Sequence, residues 1–136
     1  MKYRFFVHLL GGDDPKAERV YRWHIEERSG PRMRAGLTTD KWKQTLDDYV
    51  ESAKLLVVSM MHQGFSPFYA VPIDPAGELL DGAHRVACAV ALGIKEIDVE
   101  RHARRVWAPA WDADWFKARG VADFDRLMAD WERMKQ

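Results

Sequence analysis

The stretch that decides the fold is VPIDPAGELLDGAHRVACAVALGI, residues 71–94. Phe68 to Ile73 is rich in aromatic and branched residues, Asp74-Pro75-Ala76-Gly77 is turn sequence, and Glu78-Leu79-Leu80 follows. That order predicts a strand, a tight turn and a short returning strand. Pro72 cannot donate to a ladder, so the first strand is expected near a sheet edge or irregular. Arg85 to Leu92 is small and apolar and stops at Gly93, which predicts a short, closely packed helix. Ile94 to Val99 is then expected to be a final strand.

Asp81-Gly82-Ala83-His84-Arg85 falls where strand gives way to helix. The first N–H groups of a helix lack partners and its dipole is positive there, so such a junction suits an anion. Gly82 lets the backbone approach a ligand closely. His84 and Arg85, after Ala83, add donors and charge at the helix mouth, where Arg85 can grip a phosphate in bidentate fashion. Asp81 is placed to cap the helix or to orient His84. The plainer reading makes Asp81 an N-cap and leaves His84 and Arg85 as a solvated first turn.

Working outward, Leu46 to Met61 carries apolar residues at helical spacing and ends at Gly64, so an amphipathic helix is expected, with Asp40 as a candidate cap. Ser29 to Thr39 reads as a loop. Tyr3 to Leu10, closed by Gly11-Gly12, reads as a strand, and Pro15 to Arg19 as a helical turn. Val20 to Arg28 alternates, with Tyr21, Trp23 and Ile25 on one side and Arg22, His24, Glu26 and Arg28 on the other. A half-buried strand with a polar face is expected there.

Downstream, Arg101, His102, Arg104 and Arg105 precede Trp107, Trp111 and Trp115, and a last helix is expected from about Asp123. The whole, residues 1–136, reads as one α+β domain: a small mixed sheet packed by helices, with a Trp-rich helical extension from about 101.

Hydrophobic residues make up 47% and charged residues 31%, a globular composition that argues against disorder. The formal net charge of zero argues against a non-specific nucleic-acid binder, and no nucleic-acid partner is expected. No apolar run approaches the roughly 20 residues of a membrane span, and no signal-peptide pattern opens the chain. The lone Cys88, among small apolar neighbours, is expected to be a buried, inert thiol. A cytoplasmic protein is the expectation. His8, His62 and His102 lack metal-ligand spacing, so a zinc site is not expected.

The Asp-Gly-x-His-Arg string in this order of elements resembles the nucleotide-binding corner of the ParB/sulfiredoxin-like superfamily, over about Thr38 to Val99. The resemblance implies a corner that holds nucleotide phosphates. Sulfiredoxins place a cysteine just before the His-Arg pair, where this chain has Ala83, so sulfinic acid reduction is disfavoured. The partitioning ParB proteins use an arginine-rich corner and continue into a DNA-binding domain, for which this chain is too short and too neutral. Small-molecule kinases of the same superfamily remain, and they imply ATP or another nucleoside triphosphate with Mg²⁺.

A kinase needs a base for its acceptor hydroxyl and positive charge for the migrating phosphoryl group. Glu26 is the expected base, with Asp81 as an alternative base or Mg²⁺ ligand. Arg22, His24 and Arg28 are expected to face a small hydroxyl substrate such as a sugar or amino acid. Gly82, Ala83, His84 and Arg85 would hold the nucleotide, with Ser52 and Ser59 as further contacts from the preceding helix. The other reading is a non-catalytic nucleotide- or phosphate-binding regulatory module.

Overall fold

The computed structural model describes residues 1–38, 41–105 and 117–118. The chain divides after Arg105 into two units, and every element named below belongs to the first, Met1–Arg105. Asp40, Trp107, Trp111, Trp115 and the helix expected from Asp123 lie outside the described residues.

The N-terminal segment is helical where a strand was expected: α1 spans Lys2–Leu9. Phe5 and Phe6 explain why. Both are fully buried, and neighbours in sequence sit about 100° apart on a helix but on opposite faces of a strand. A two-sided burial would need cover on both faces of a strand; one helix face supplies it here. Burying each phenylalanine contributes about 1.5–3 kcal/mol.

The second correction concerns Val20 to Arg28, which lies inside α2, Ala17–Arg34. The alternation of Tyr21, Trp23 and Ile25 is incidental. Buried residues fall at Ala17, Val20, Tyr21, His24 and Ile25, a helical stripe that takes in His24 and leaves Trp23 half-buried. Most of the loop expected over Ser29 to Thr39 is the last part of this helix, despite Gly30 and Pro31. Gly30 is buried, and a side chain there would collide with the carboxylate of Glu26 one turn earlier.

Helix α3, Leu46–Gln63, forms as its periodicity predicts. Thr45 caps it: Thr45 Oγ1 accepts from the Asp48 N–H at 3.2 Å, and the Asp48 carboxylate accepts from the Thr45 N–H at 2.7 Å. Gly64 ends it. A 3₁₀ turn, Pro67–Tyr69, then replaces the beginning of the expected strand, which narrows to β1, Val71–Ile73.

Helix α4 spans Ala83–Ala91, and β2, Val99–Arg101, pairs parallel with β1 with Val71 opposite Val99. The returning strand over Glu78 to Leu80 reduces to a single antiparallel bridge between Ile73 and Leu79. Buried Asp74 accounts for the turn. Its Oδ1 accepts from the N–H groups of Ala76 at 2.8 Å and Glu78 at 2.9 Å, an Asx-type closure that leaves little chain for a second strand. The strand expected at Ile94–Val99 begins only at Val99, and the Arg101 guanidinium donates to the carbonyls of Asp74 and Pro75.

The result is a small α+β fold. A βαβ unit (β1, α4, β2) supplies the sheet, and α1 packs against α4, α2 and α3. Phe5, Phe6, Tyr21, Ile25, Val50, Ala53, Val57, Met60, Cys88 and Ala89 form the core. Among the described residues no helix is long and apolar enough to cross a membrane.

Candidate functional site

The site is built on the first turn of α4. Gly82 is its N-cap, at φ 83° and ψ 13°, a left-handed conformation that costs other residues about 1–2 kcal/mol. The first intrahelical bond here runs from the Val86 N–H to the Gly82 carbonyl at 3.0 Å. The N–H groups of Ala83, His84 and Arg85 therefore fall ahead of the helical ladder, where a helix end attracts negative charge. Asp81 precedes the N-cap and does not cap the helix through its side chain; its exposed carboxylate lies on the wall of a cavity.

That cavity has a volume of about 250 Å³. Asp81 to Arg85 form one side of it, and Tyr49, Ser52 and Leu56 of α3 form the other. Lys43, from the segment before α3, closes it with a positive charge. The Arg85 guanidinium donates to the Tyr69 carbonyl and passes so close to Gly82 that a Cβ there would meet Arg85 Nη2 at 2.9 Å. Glycine at 82 thus serves both the backbone turn and the seat of the arginine.

His84 sits beneath this mouth, among aromatic rings from three other helices. Its ring centroid is 6.4 Å from that of Phe6, 5.8 Å from Tyr21 and 6.4 Å from Tyr49. Its Nε2 is 2.9 Å from the Tyr21 hydroxyl oxygen. The Tyr21 hydroxyl donates its one proton to the Tyr49 carbonyl at 3.3 Å, so the arrangement that satisfies both contacts has His84 Nε2–H donating to the phenol oxygen. Burial raises the Tyr21 phenol above its ordinary range, which keeps it a neutral relay in this chain of bonds.

Burial pushes the His84 imidazole down to about 2, and the charges of Lys2, Lys43 and Arg28 push the same way. His24 is driven down to about 2 by burial, then by Lys2, the terminal amine, Arg28 and His84. Lys2 itself falls to about 7 through burial and the charge of Arg28. The unladdered N–H groups of this helix start, with Lys43 and Arg85 on the same cavity, favour an anion.

The structure gathers Ser52, Asp81, Gly82, Ala83, His84 and Arg85 around one cavity. Ser59 is exposed two turns further along α3, about 10 Å away along the axis, and does not line it. Arg22, His24, Glu26 and Arg28 no longer share a face, because α2 is a helix. Arg22 pairs with Glu18 and with Asp47 of α3, each at 2.7 Å. Glu26 pairs with Arg34 on its own helix and is not among the cavity-lining residues. His24 is buried in the helical interface, and Arg28 is exposed.

Lys43, Tyr49 and Tyr21 escaped the reading of the sequence. The nearness of Lys43 to the corner depends on how α3 docks on α4. Tyr49 and Tyr21 read as core apolar positions, and only the fold turns the hydroxyl of Tyr21 toward His84. Cys88 is buried, and burial raises its thiol to about 11, so it stays protonated and unreactive. His8 lies on α1 with Nδ1 3.3 Å from the Gly12 carbonyl, and His102 is 3.5 Å from Glu100. Among the described residues no three His, Cys, Asp or Glu side chains cluster as a metal site.

Comparison with known proteins gave no match among family models, curated proteins or solved structures.

Proposed function

We propose that this chain is a nucleotide-binding domain whose α4 corner holds the phosphates. The observation that carries the reading is the convergence of Lys43, Arg85 and the unladdered N–H groups of Ala83 to Arg85 on one cavity. Phosphate oxygens are the multiply charged acceptors that such donors suit best. The resemblance to the ParB/sulfiredoxin-like corner supports the same assignment.

Phosphoryl transfer to a small hydroxyl compound is the second reading, and the exposed carboxylate of Asp81 on the cavity wall favours it. In that reading Asp81, rather than Glu26, is the acceptor's base or a ligand to Mg²⁺. A magnesium ion on nucleotide phosphates needs only one or two protein carboxylates, and Asp81 supplies one.

Calorimetric titration of the chain with ATP, CTP and GTP, with and without Mg²⁺, tests the first reading. Saturable binding that Arg85→Ala weakens at least tenfold is the expected result. No binding of any of the three at millimolar concentration would refute it. For the second reading, incubation with nucleotide, Mg²⁺ and a panel of hydroxyl metabolites should yield a phosphate ester that Asp81→Asn abolishes; binding without turnover leaves a regulatory module.

A further inference from the structure

Phe68 and Tyr69 are 91% and 70% exposed on the 3₁₀ turn before β1. Two adjacent large rings left in water are costly unless something covers them. They border a shallow groove that also takes in Pro67 and Pro72, together with Glu100 and His102 from the β2 side. Arg85, the same residue that lines the cavity at the start of α4, lines this groove as well. Its guanidinium donates to the Tyr69 carbonyl, which fixes the 3₁₀ turn against the α4 corner. One arginine thus forms the wall between a phosphate-sized cavity and an aromatic shelf.

We infer that the Phe68–Tyr69 groove seats the base of the nucleotide whose phosphates occupy the α4 corner. The inference rests on the phosphate reading above and adds where the rest of the ligand lies. A flat, aromatic, partly polar body joined to a phosphate chain is what the two adjoining surfaces require together. Stacking on an exposed aromatic side chain contributes to the binding of every base, because each presents a π-face. Glu100 and His102 offer hydrogen-bonding groups at the same groove.

The test compares inorganic tripolyphosphate with the tightest-binding of ATP, CTP and GTP, on the wild-type chain and on Phe68→Ala. Phe68 makes no part of the core, so its truncation leaves the fold intact, which circular dichroism can verify. The substitution is expected to weaken the nucleotide about tenfold or more and to leave tripolyphosphate within twofold. Equal affinity of wild type and Phe68→Ala for the nucleotide would overturn the groove while sparing the phosphate corner. An equal loss for both ligands would overturn it as well. Failure of the wild-type chain to bind tripolyphosphate, with nucleotide binding that Arg85→Ala does not alter, would overturn the phosphate reading itself.

Discussion

The Nε2 of His84 lies 2.9 Å from the Tyr21 hydroxyl oxygen, and this contact ties the first turn of α4 to α2 across the core. Through the same hydroxyl it reaches the Tyr49 carbonyl of α3. Three helices are thereby joined beneath the proposed phosphate seat.

Removing that hydroxyl leaves the half-buried His84 Nε2–H without its partner while the ring stays in place; the Tyr49 carbonyl keeps its place in the α3 ladder. Tyr21→Phe is therefore expected to lower stability by about 1–3 kcal/mol, the cost of an unsatisfied polar group. Urea unfolding, with the slope unchanged and the midpoint lowered, is the measurement. The stacking of Phe5 on the ring at position 21, with centroids 4.1 Å apart, survives the substitution. A midpoint equal to the wild type would mean that water serves the imidazole equally well.

Stability should fall in acid through the two suppressed imidazoles. His24 and His84 are neutral in the folded chain down to about 2, while an unfolded histidine takes up its proton near 6.5. Between those values the unfolded state binds more protons, so stability drops as pH falls below about 6.5, by up to about 1.4 kcal/mol per pH unit for each group. Lys2, at about 7 when folded against an ordinary value of 10.5, has the same sign: stability rises with pH between the two. Denaturant midpoints from pH 7 to pH 4 follow the histidine contribution together with that of the terminal amine, which burial lowers to about 5, and His84→Gln should flatten the slope. A bound polyanion should favour the protonated imidazoles and oppose the loss.

Gly82→Ala tests the turn and the arginine seat together. The left-handed backbone costs about 1–2 kcal/mol with a side chain present, and the new Cβ would press on the Arg85 guanidinium. Lower stability and at least tenfold weaker nucleotide binding are expected. Gly77→Ala provides the comparison, since Gly77 has φ 91° and open space around it: it should cost stability and leave binding alone.

Glu26→Gln should leave nucleotide binding and any turnover unchanged, because Glu26 pairs with Arg34 outside the cavity. The pair is partly exposed, so stability should change by less than about 1 kcal/mol. Loss of turnover with intact binding would restore Glu26 as the base.

The half of the candidate site that lies on one stretch of chain was legible in the sequence. Asp81 to Arg85 are consecutive, and the glycine, the following small-residue helix and Gly93 bracket them. Helix α3 was legible too, because its apolar residues keep one period over four turns. The N-terminal third was not. Phe5-Phe6 and the Tyr21-Trp23-Ile25 alternation are compatible with a strand until packing is known, and the burial of His24 beside Ile25 is what selects a helix. Gly30 and Pro31 read as loop signals, yet packing holds them inside α2, with the Glu26 carboxylate lying over Gly30. Misplacing that segment also misplaced Glu26, Arg22, His24 and Arg28 as a common face. Lys43 and Tyr21 approach the corner only through tertiary contacts, which spacing along the chain does not encode.

The most direct measurement is the change in backbone amide and His84 ring resonances as a nucleoside triphosphate is titrated into the isotopically labelled chain. The largest, saturable shifts should fall on Gly82 to Val86, with the side chain of Lys43 and the ring of His84 responding at the same concentration. Saturable binding whose shifts spare residues 82–86 would contradict the assignment of the α4 corner as the phosphate site.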